Sequence, residues 1–179
     1  MRTRGKLALT VTTAAALAAF GVWTAQAATN SDAAAADAQP SSVETFEYPG
    51  AAAIQQNYGV TLISGDGHIL FADCATPPSG NIGLLKVRTT EGIGAAGNGL
   101  ICFKVLAGTG RLDLKIPAVY EIRGDGLSSG AGHKVKADLT TDAGAHSTVD
   151  VNPSGSTPVG VGADPNNAPT TLLQLTATP

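Results

Sequence analysis

The chain has 179 residues, with 11 Lys and Arg against 14 Asp and Glu and a formal net charge of −3. An acidic balance argues against nucleic acid and anionic lipid as partners, since both call for surplus positive charge at the contact. Charged residues make up only 14% of the chain, while Gly numbers 22 and Pro 10. That composition suits a compact, turn-rich β protein and argues against long helices or a disordered chain.

The first segment reads as an export signal. Met1–Lys6 carries Arg2, Arg4 and Lys6 and no acid, Leu7–Val22 is uncharged and rich in Ala and Leu, and Ala25-Gln26-Ala27 supplies the small residues of a signal-peptidase site. Residues 1–27 are therefore assigned to a signal peptide with cleavage before Ala28. The apolar stretch proper is about 15 residues, short of the ~20 that span a bilayer, so no membrane anchor is expected. Cleavage leaves 8 basic and 14 acidic residues, a net charge of −6. Residues 28–42 contain no large apolar side chain and are expected to form a disordered leader. Residues 43–179 make one domain, large enough to bury roughly two-thirds of its unfolded surface.

Within that domain, Pro49, Ala51–Gln56 and Gly59 mark a short helix with Pro near its start and Gly just past its end. Val60–Ser64, the tip Gly65-Asp66-Gly67 and His68–Asp73 read as a hairpin. Pro77-Pro78-Ser79-Gly80 breaks the chain and Ile82–Arg88 resumes it. Glu91–Gly99, with four glycines in nine residues, is a loop, and Leu100–Leu106 is apolar on both faces, as a central strand would be. Leu112, Leu114 and Ile116 alternate with Arg111, Asp113 and Lys115, the two-residue period of a strand. Val119–Arg123 reads as a separate strand ended by Gly124-Asp125-Gly126. His133–Thr140 alternates again, with Val135, Ala137 and Leu139 inward, then come Ser147–Val151, Pro158–Val161 and Leu172–Thr176. About nine short strands at this spacing predict an all-β domain with one short N-terminal helix, an antiparallel β-sandwich or partly closed barrel.

Cys74 and Cys102 are the only cysteines, and in an oxidising compartment an even count predicts a disulfide. Gly126-Leu127-Ser128-Ser129-Gly130 matches the G-x-S-x-G pattern of serine hydrolases with His133 close by. That motif works where a strand delivers the Ser to a turn followed by a helix, and here another strand follows. His68, His133 and His146 show no ligand spacing, and the acidic residues lack a calcium-loop series, so neither metal nor cofactor is expected. Arg123-Gly124-Asp125 spells the integrin-binding tripeptide, but the Gly-Asp-Gly unit recurs at Gly65–Gly67 as plain turn chemistry, and a hairpin tip is the preferred reading. Trp23, the one tryptophan, lies in the signal peptide, which leaves few aromatics for a sugar-stacking platform.

One order of signals spans nearly the whole mature domain: Gly65-Asp66-Gly67-His68-Ile69, Ala72-Asp73-Cys74, Cys102-Phe103, Leu112–Tyr120, Arg123-Gly124-Asp125, Val159–Asp164 and Thr170–Leu175. It resembles that of small secreted proteins of Streptomyces and related actinomycetes. The likeness implies an extracellular actinomycete origin and carries no site residue with it. The functional expectation is a secreted, non-catalytic module that binds cell wall, polysaccharide or protein through its loops. Candidate surface positions are Asn98, Arg123, Asp125, Ser128, His133 and Asp164. The alternatives are an extracellular hydrolase assembled from distant His and Asp residues, or a protease inhibitor presenting the stiff Cys74–Gly80 segment.

Overall fold

The structure is a computed structural model, and it describes residues 47–179. The segments expected as signal peptide (1–27) and leader (28–42), and the first residues assigned to the domain, lie outside the described residues. Among the described residues one α-helix, α1 (Ala51–Tyr58), precedes nine strands: β1 (Thr61–Gly65), β2 (Ile69–Ala72), β3 (Leu85–Thr89), β4 (Leu100–Val105), β5 (Gly110–Arg123), β6 (Lys134–Thr141), β7 (His146–Val151), β8 (Ser156–Pro158) and β9 (Thr170–Thr178). Gly59, at φ 70°, closes α1 by donating its N–H to the Gln55 carbonyl at 3.0 Å, a conformation that glycine adopts without steric cost. Ala51, Ile54 and Tyr58 lay the helix against the core.

Every pair of strands is antiparallel. The pairing path runs β2-β4-β3-β5-β9-β6-β7, with β1 and β8 also on β5. Its ends, β2 and β7, do not pair, so the sheet is not closed into a barrel and the fold is sandwich-like. The alternation read from the sequence places Leu112, Leu114, Ile116, Val135, Ala137 and Leu139 in the core. β4 lies between β2 and β3, and its successive residues Ile101, Cys102 and Phe103 are all buried, as its two-sided apolar character predicts.

The long strand β5 makes the sandwich possible. Its first half pairs with β1 and β9 and its second with β3 and β8. Between them, Pro117 has no N–H to give a ladder, and Ala118 sits at φ 50°. The register shifts there against both β3 and β9. A bulge of this kind bends the strand and frees carbonyls that must find donors elsewhere. The Thr89 hydroxyl donates to Pro117 O at 2.6 Å, the Thr90 N–H to Ala118 O at 3.1 Å, and the Thr170 hydroxyl to Val119 O at 2.9 Å. Thr89 and Thr170 are buried, and a buried carbonyl left unpaired there would cost about 1–3 kcal/mol.

Three expectations need correcting. Val60–Ser64 and His68–Asp73 form strands but no hairpin, since β1 pairs with β5 and β2 with β4. The reason is Asp66, whose carboxylate accepts the backbone N–H groups of His68 and Arg111 at 3.0 and 2.9 Å and so docks the tip on β5. Val119–Arg123 is no separate strand but the far half of β5. The segment 158–161 is not a strand: β8 ends at Pro158 and a 3-10 turn follows at Gly160–Gly162, with Gly160 at φ 48°.

Candidate functional site

Three loops meet at one end of the sheet, one leading into β3 and two following β5 and β7, and backbone hydrogen bonds lace them together. Gly83 N–H donates to Asp125 O at 2.7 Å and Leu127 N–H to Asn81 O at 2.9 Å. From the other side, Gly124 N–H reaches Gly155 O at 3.0 Å and Gly126 N–H reaches Pro153 O at 2.8 Å. A side chain at Gly124 would strike the Pro153 backbone, and one at Gly126 the Ala131 backbone. Gly132 adds a φ of 100° to a similarly tight approach to Pro153. The glycines that mark this stretch as a turn thus let three chains pack at backbone distance.

At the centre of the lacing is Asp125, 1% exposed. One carboxylate oxygen accepts the His133 N–H at 2.8 Å, and the other lies 2.6 Å from His133 Nδ1. The His133 side chain keeps 22% of its surface open. A buried carboxylate on Nδ1 fixes the orientation of an imidazole, the arrangement a general base needs. A nucleophile within about 2.6–3.2 Å of the other ring nitrogen would complete it. Ser128 and Ser129 are exposed in the same loop, and among the described residues neither hydroxyl hydrogen-bonds to His133. β6 follows the loop, so the helix that lends its N-terminus to an oxyanion in the G-x-S-x-G motif is not there. What the geometry does directly is close the ten-residue loop from Gly124 to His133 on itself.

The sequence candidates separate into two places. Arg123, Asp125, Ser128 and His133 share this end. Asn98 belongs to the loop after Thr89 and Asp164 to the loop before Thr170, and Thr89 and Thr170 both pair with Val119, at the β5 bend. Asn98 accepts the Leu100 N–H at 3.1 Å and Asp164 the Asn166 N–H at 2.9 Å, so both side chains shape their own turns. Asp125 is not the surface residue that was expected. Nor is its loop a hairpin tip, because β9 lies between β5 and β6 and the loop must cross over it. With Asp125 sealed, Arg123-Gly124-Asp125 cannot be displayed as a recognition tripeptide.

The histidines do not converge: His68 is 3.6 Å from Asp66, His133 pairs with Asp125, and His146 is exposed at the start of β7. Among the described residues no group of three His, Cys, Asp or Glu side chains could hold a metal ion. The Asp125–His133 pair was missed because the sequence shows two turn residues eight apart. Only the close packing of Gly124, Gly126 and Gly132 reveals that the carboxylate points inward.

Cys74 and Cys102 lie at disulfide-bonding distance, with Cα atoms 5.2 Å apart, tying the chain just past β2 to β4. The segment that follows turns tightly, Ser79 and Ile82 exchanging backbone hydrogen bonds at 2.8 and 3.1 Å. It presents Pro77, Pro78, Gly80 and Asn81 to solvent. Among the described residues no helix is long and apolar enough to cross a membrane. No protein-family model and no curated protein matches this chain.

Proposed function

We propose that the chain is a protein exported by an actinomycete, whose β domain works outside the cell as a binding or structural module through the loop that leads into β3 and those that follow β5 and β7. The observation that carries this reading is the lacing of those loops around Asp125. Three connections held by backbone hydrogen bonds and sealed glycine contacts form a rigid display surface, and loops positioned by a stiff scaffold are where β domains place their contacts. Leu127, 56% exposed, and the free Ser128 and Ser129 stand at its tip. The cysteine pair at bonding distance and the tripartite start of the sequence support export.

A second reading, an extracellular hydrolase, is favoured by one contact, the 2.6 Å approach of His133 Nδ1 to buried Asp125 beside two exposed serines. The two readings part experimentally. Secretion of the full chain from a Gram-positive host is expected to yield a product beginning at Ala28. Immobilised on beads, that product is expected to retain saturably a component of cell wall, polysaccharide or culture protein. Retention of none of these would sink the binding reading. A fluorophosphonate probe is expected to leave Ser128 and Ser129 unmodified, and a His133-dependent adduct on either would establish the hydrolase instead.

A further inference from the structure

β2, β4, β3, the second half of β5, and β8 present one outward face, on which the pairing register stacks side chains in rows. One row runs Ala72, Cys102, Lys86, Arg123 and Ser156. The next on one side contains Lys104, and the next on the other contains Leu100, Arg88 and Glu121. Lys104, Lys86, Arg123 and Arg88 thus form a diagonal strip across three rows. Rows on one face of a strand are about 6.5–7 Å apart, so the strip is roughly 14 Å long. These are four of the eight Lys and Arg residues among the described residues. None of the four makes an ion pair or a side-chain hydrogen bond there. The one carboxylate in these rows, Glu121, stands opposite Arg88 at the end of the strip and accepts the Ser156 hydroxyl at 2.6 Å.

Lys86 and Arg123 stand directly opposite each other, an arrangement that destabilises a sheet. A local rule broken with no compensating contact in the fold is where function is to be sought. Beside this pair, between it and the loops carrying Thr76 and Leu127, lies a pocket of about 120 Å³. Ligand pockets for whole small molecules run to about 300–1,000 Å³, so this one suits a single acidic group of something larger.

We infer that this strip binds an acidic polysaccharide, one charged group seated between Lys86 and Arg123 and its neighbours along Lys104 and Arg88. Charge complementarity selects a polyanion, and the repeat of cations along the sheet face selects an extended one. The rows carry no aromatic side chain on which bases of a single-stranded nucleic acid could stack. Protein interfaces centre on apolar and aromatic anchors and are poor in Lys, whereas Lys86 is the centre here. The choice of polysaccharide over duplex nucleic acid rests on the extracellular reading above.

The test uses the mature chain, titrated at low salt with polygalacturonate and dextran sulfate, with neutral dextran, double-stranded DNA and poly-glutamate alongside. Expected are saturable binding to an acidic polysaccharide, none to neutral dextran, and at least tenfold weakening between 50 and 200 mM salt. Lys86→Gln with Arg123→Gln is expected to weaken binding at least tenfold, and Lys136→Gln, on the other sheet surface, by less than twofold. Cooperative thermal unfolding of the variants confirms that they fold. Failure to bind either acidic polysaccharide, binding indifferent to the paired variant, or tighter binding to DNA or poly-glutamate overturns the inference. Binding in vitro does not depend on export. If the chain is exported and retains another partner while ignoring polyanions, only this inference falls; if it binds acidic polysaccharide more tightly than DNA but stays inside the cell, only the extracellular reading falls.

Discussion

Two cross-strand pairs on the outside of the domain invite comparison. On β6 and β7, Lys136 stands opposite Asp150, and the two close to 2.6 Å. On β3 and β5, Lys86 stands opposite Arg123. The surroundings repeat the contrast. Around the first pair the carboxylates are answered: Asp113 accepts from Arg111, from the Ser64 hydroxyl at 2.7 Å and from Gln174 at 2.6 Å, and Asp138 accepts from the Thr148 hydroxyl, while Lys115 alone stands without a partner among the described residues. Around the second, one carboxylate, Glu121, stands opposite Arg88, and none of the four cations closes an ion pair among the described residues. The same strand geometry serves a surface finished within the fold in one case and a surface left open in the other. A whole-chain charge of −3 averages over that segregation, which is why the acidic balance is a poor guide to what one face can hold.

The open face is also the stapled one, and breaking the staple is the largest predicted effect. Replacing both cysteines by Ala frees a segment with a sequence separation of 28, which on the chain-entropy model costs about 3.5 kcal/mol. The midpoint of denaturant unfolding, compared with that of the parent chain, measures it. Loss of affinity for polyanions should accompany the loss of stability if the bond also holds the Thr76 loop over the Lys86–Arg123 pocket. A fall below about 1 kcal/mol would mean that the laced loops hold this end without the covalent tie.

On the finished face, Asp113 is the residue to remove. Partial burial works to raise its pKa, but hydrogen bonds from Arg111, Ser64 and Gln174, with the Arg111 charge, hold it below the ordinary carboxylate value. A depressed native pKa contributes stability that is present above the unfolded value, near 4, and is lost as pH falls through the native one. Asp113→Ala is therefore expected to lower stability by about 1–2 kcal/mol at pH 7, and the difference should shrink as the parent chain loses this contribution below about pH 4. A constant difference between pH 7 and pH 3 would show that packing, and not the carboxylate charge, is what the substitution removes.

Legibility followed the range of the interactions. The cysteine pair, 28 residues apart, follows from there being only two cysteines to join. The strand alternations of β5 and β6, the two-sided burial of β4 and the capped helix all rest on neighbours within a few residues, and each was readable from side-chain pattern alone. The missing β1–β2 hairpin was not, because Gly65-Asp66-Gly67 has turn chemistry whichever strands it joins. What decides is the Asp66 carboxylate reaching Arg111, 45 residues on. The bend in β5 hid in Pro117, which looks like the end of one strand and the start of another. At the candidate sites the failure was one of direction: Arg123 and Asp125 are two residues apart, yet one points to solvent and the other is sealed. Lys86 and Arg88 could be placed on one face of β3 from the sequence, but that Arg123 and Lys104 join them depends on strand order, which no local pattern contains.

The smallest effect gives the sharpest form of the comparison, because it predicts a difference in sign. Lys136→Gln removes a cation from a cross-strand ion pair, and an exposed pair of this kind contributes about 0.2–1 kcal/mol, so stability should fall by a few tenths. Lys86→Gln removes a cation that faces another directly, so stability should stay level or rise by a few tenths. Salt separates the two further. Screening weakens an attraction and a repulsion alike, so raising salt from 50 to 500 mM should narrow both differences from the parent chain, one from below and the other from above. Paired urea titrations of the three chains at both salt concentrations can resolve this. If Lys86→Gln proved destabilising at low salt, the cation would have to be held by a contact within the fold, and the open face would have lost the feature that distinguishes it.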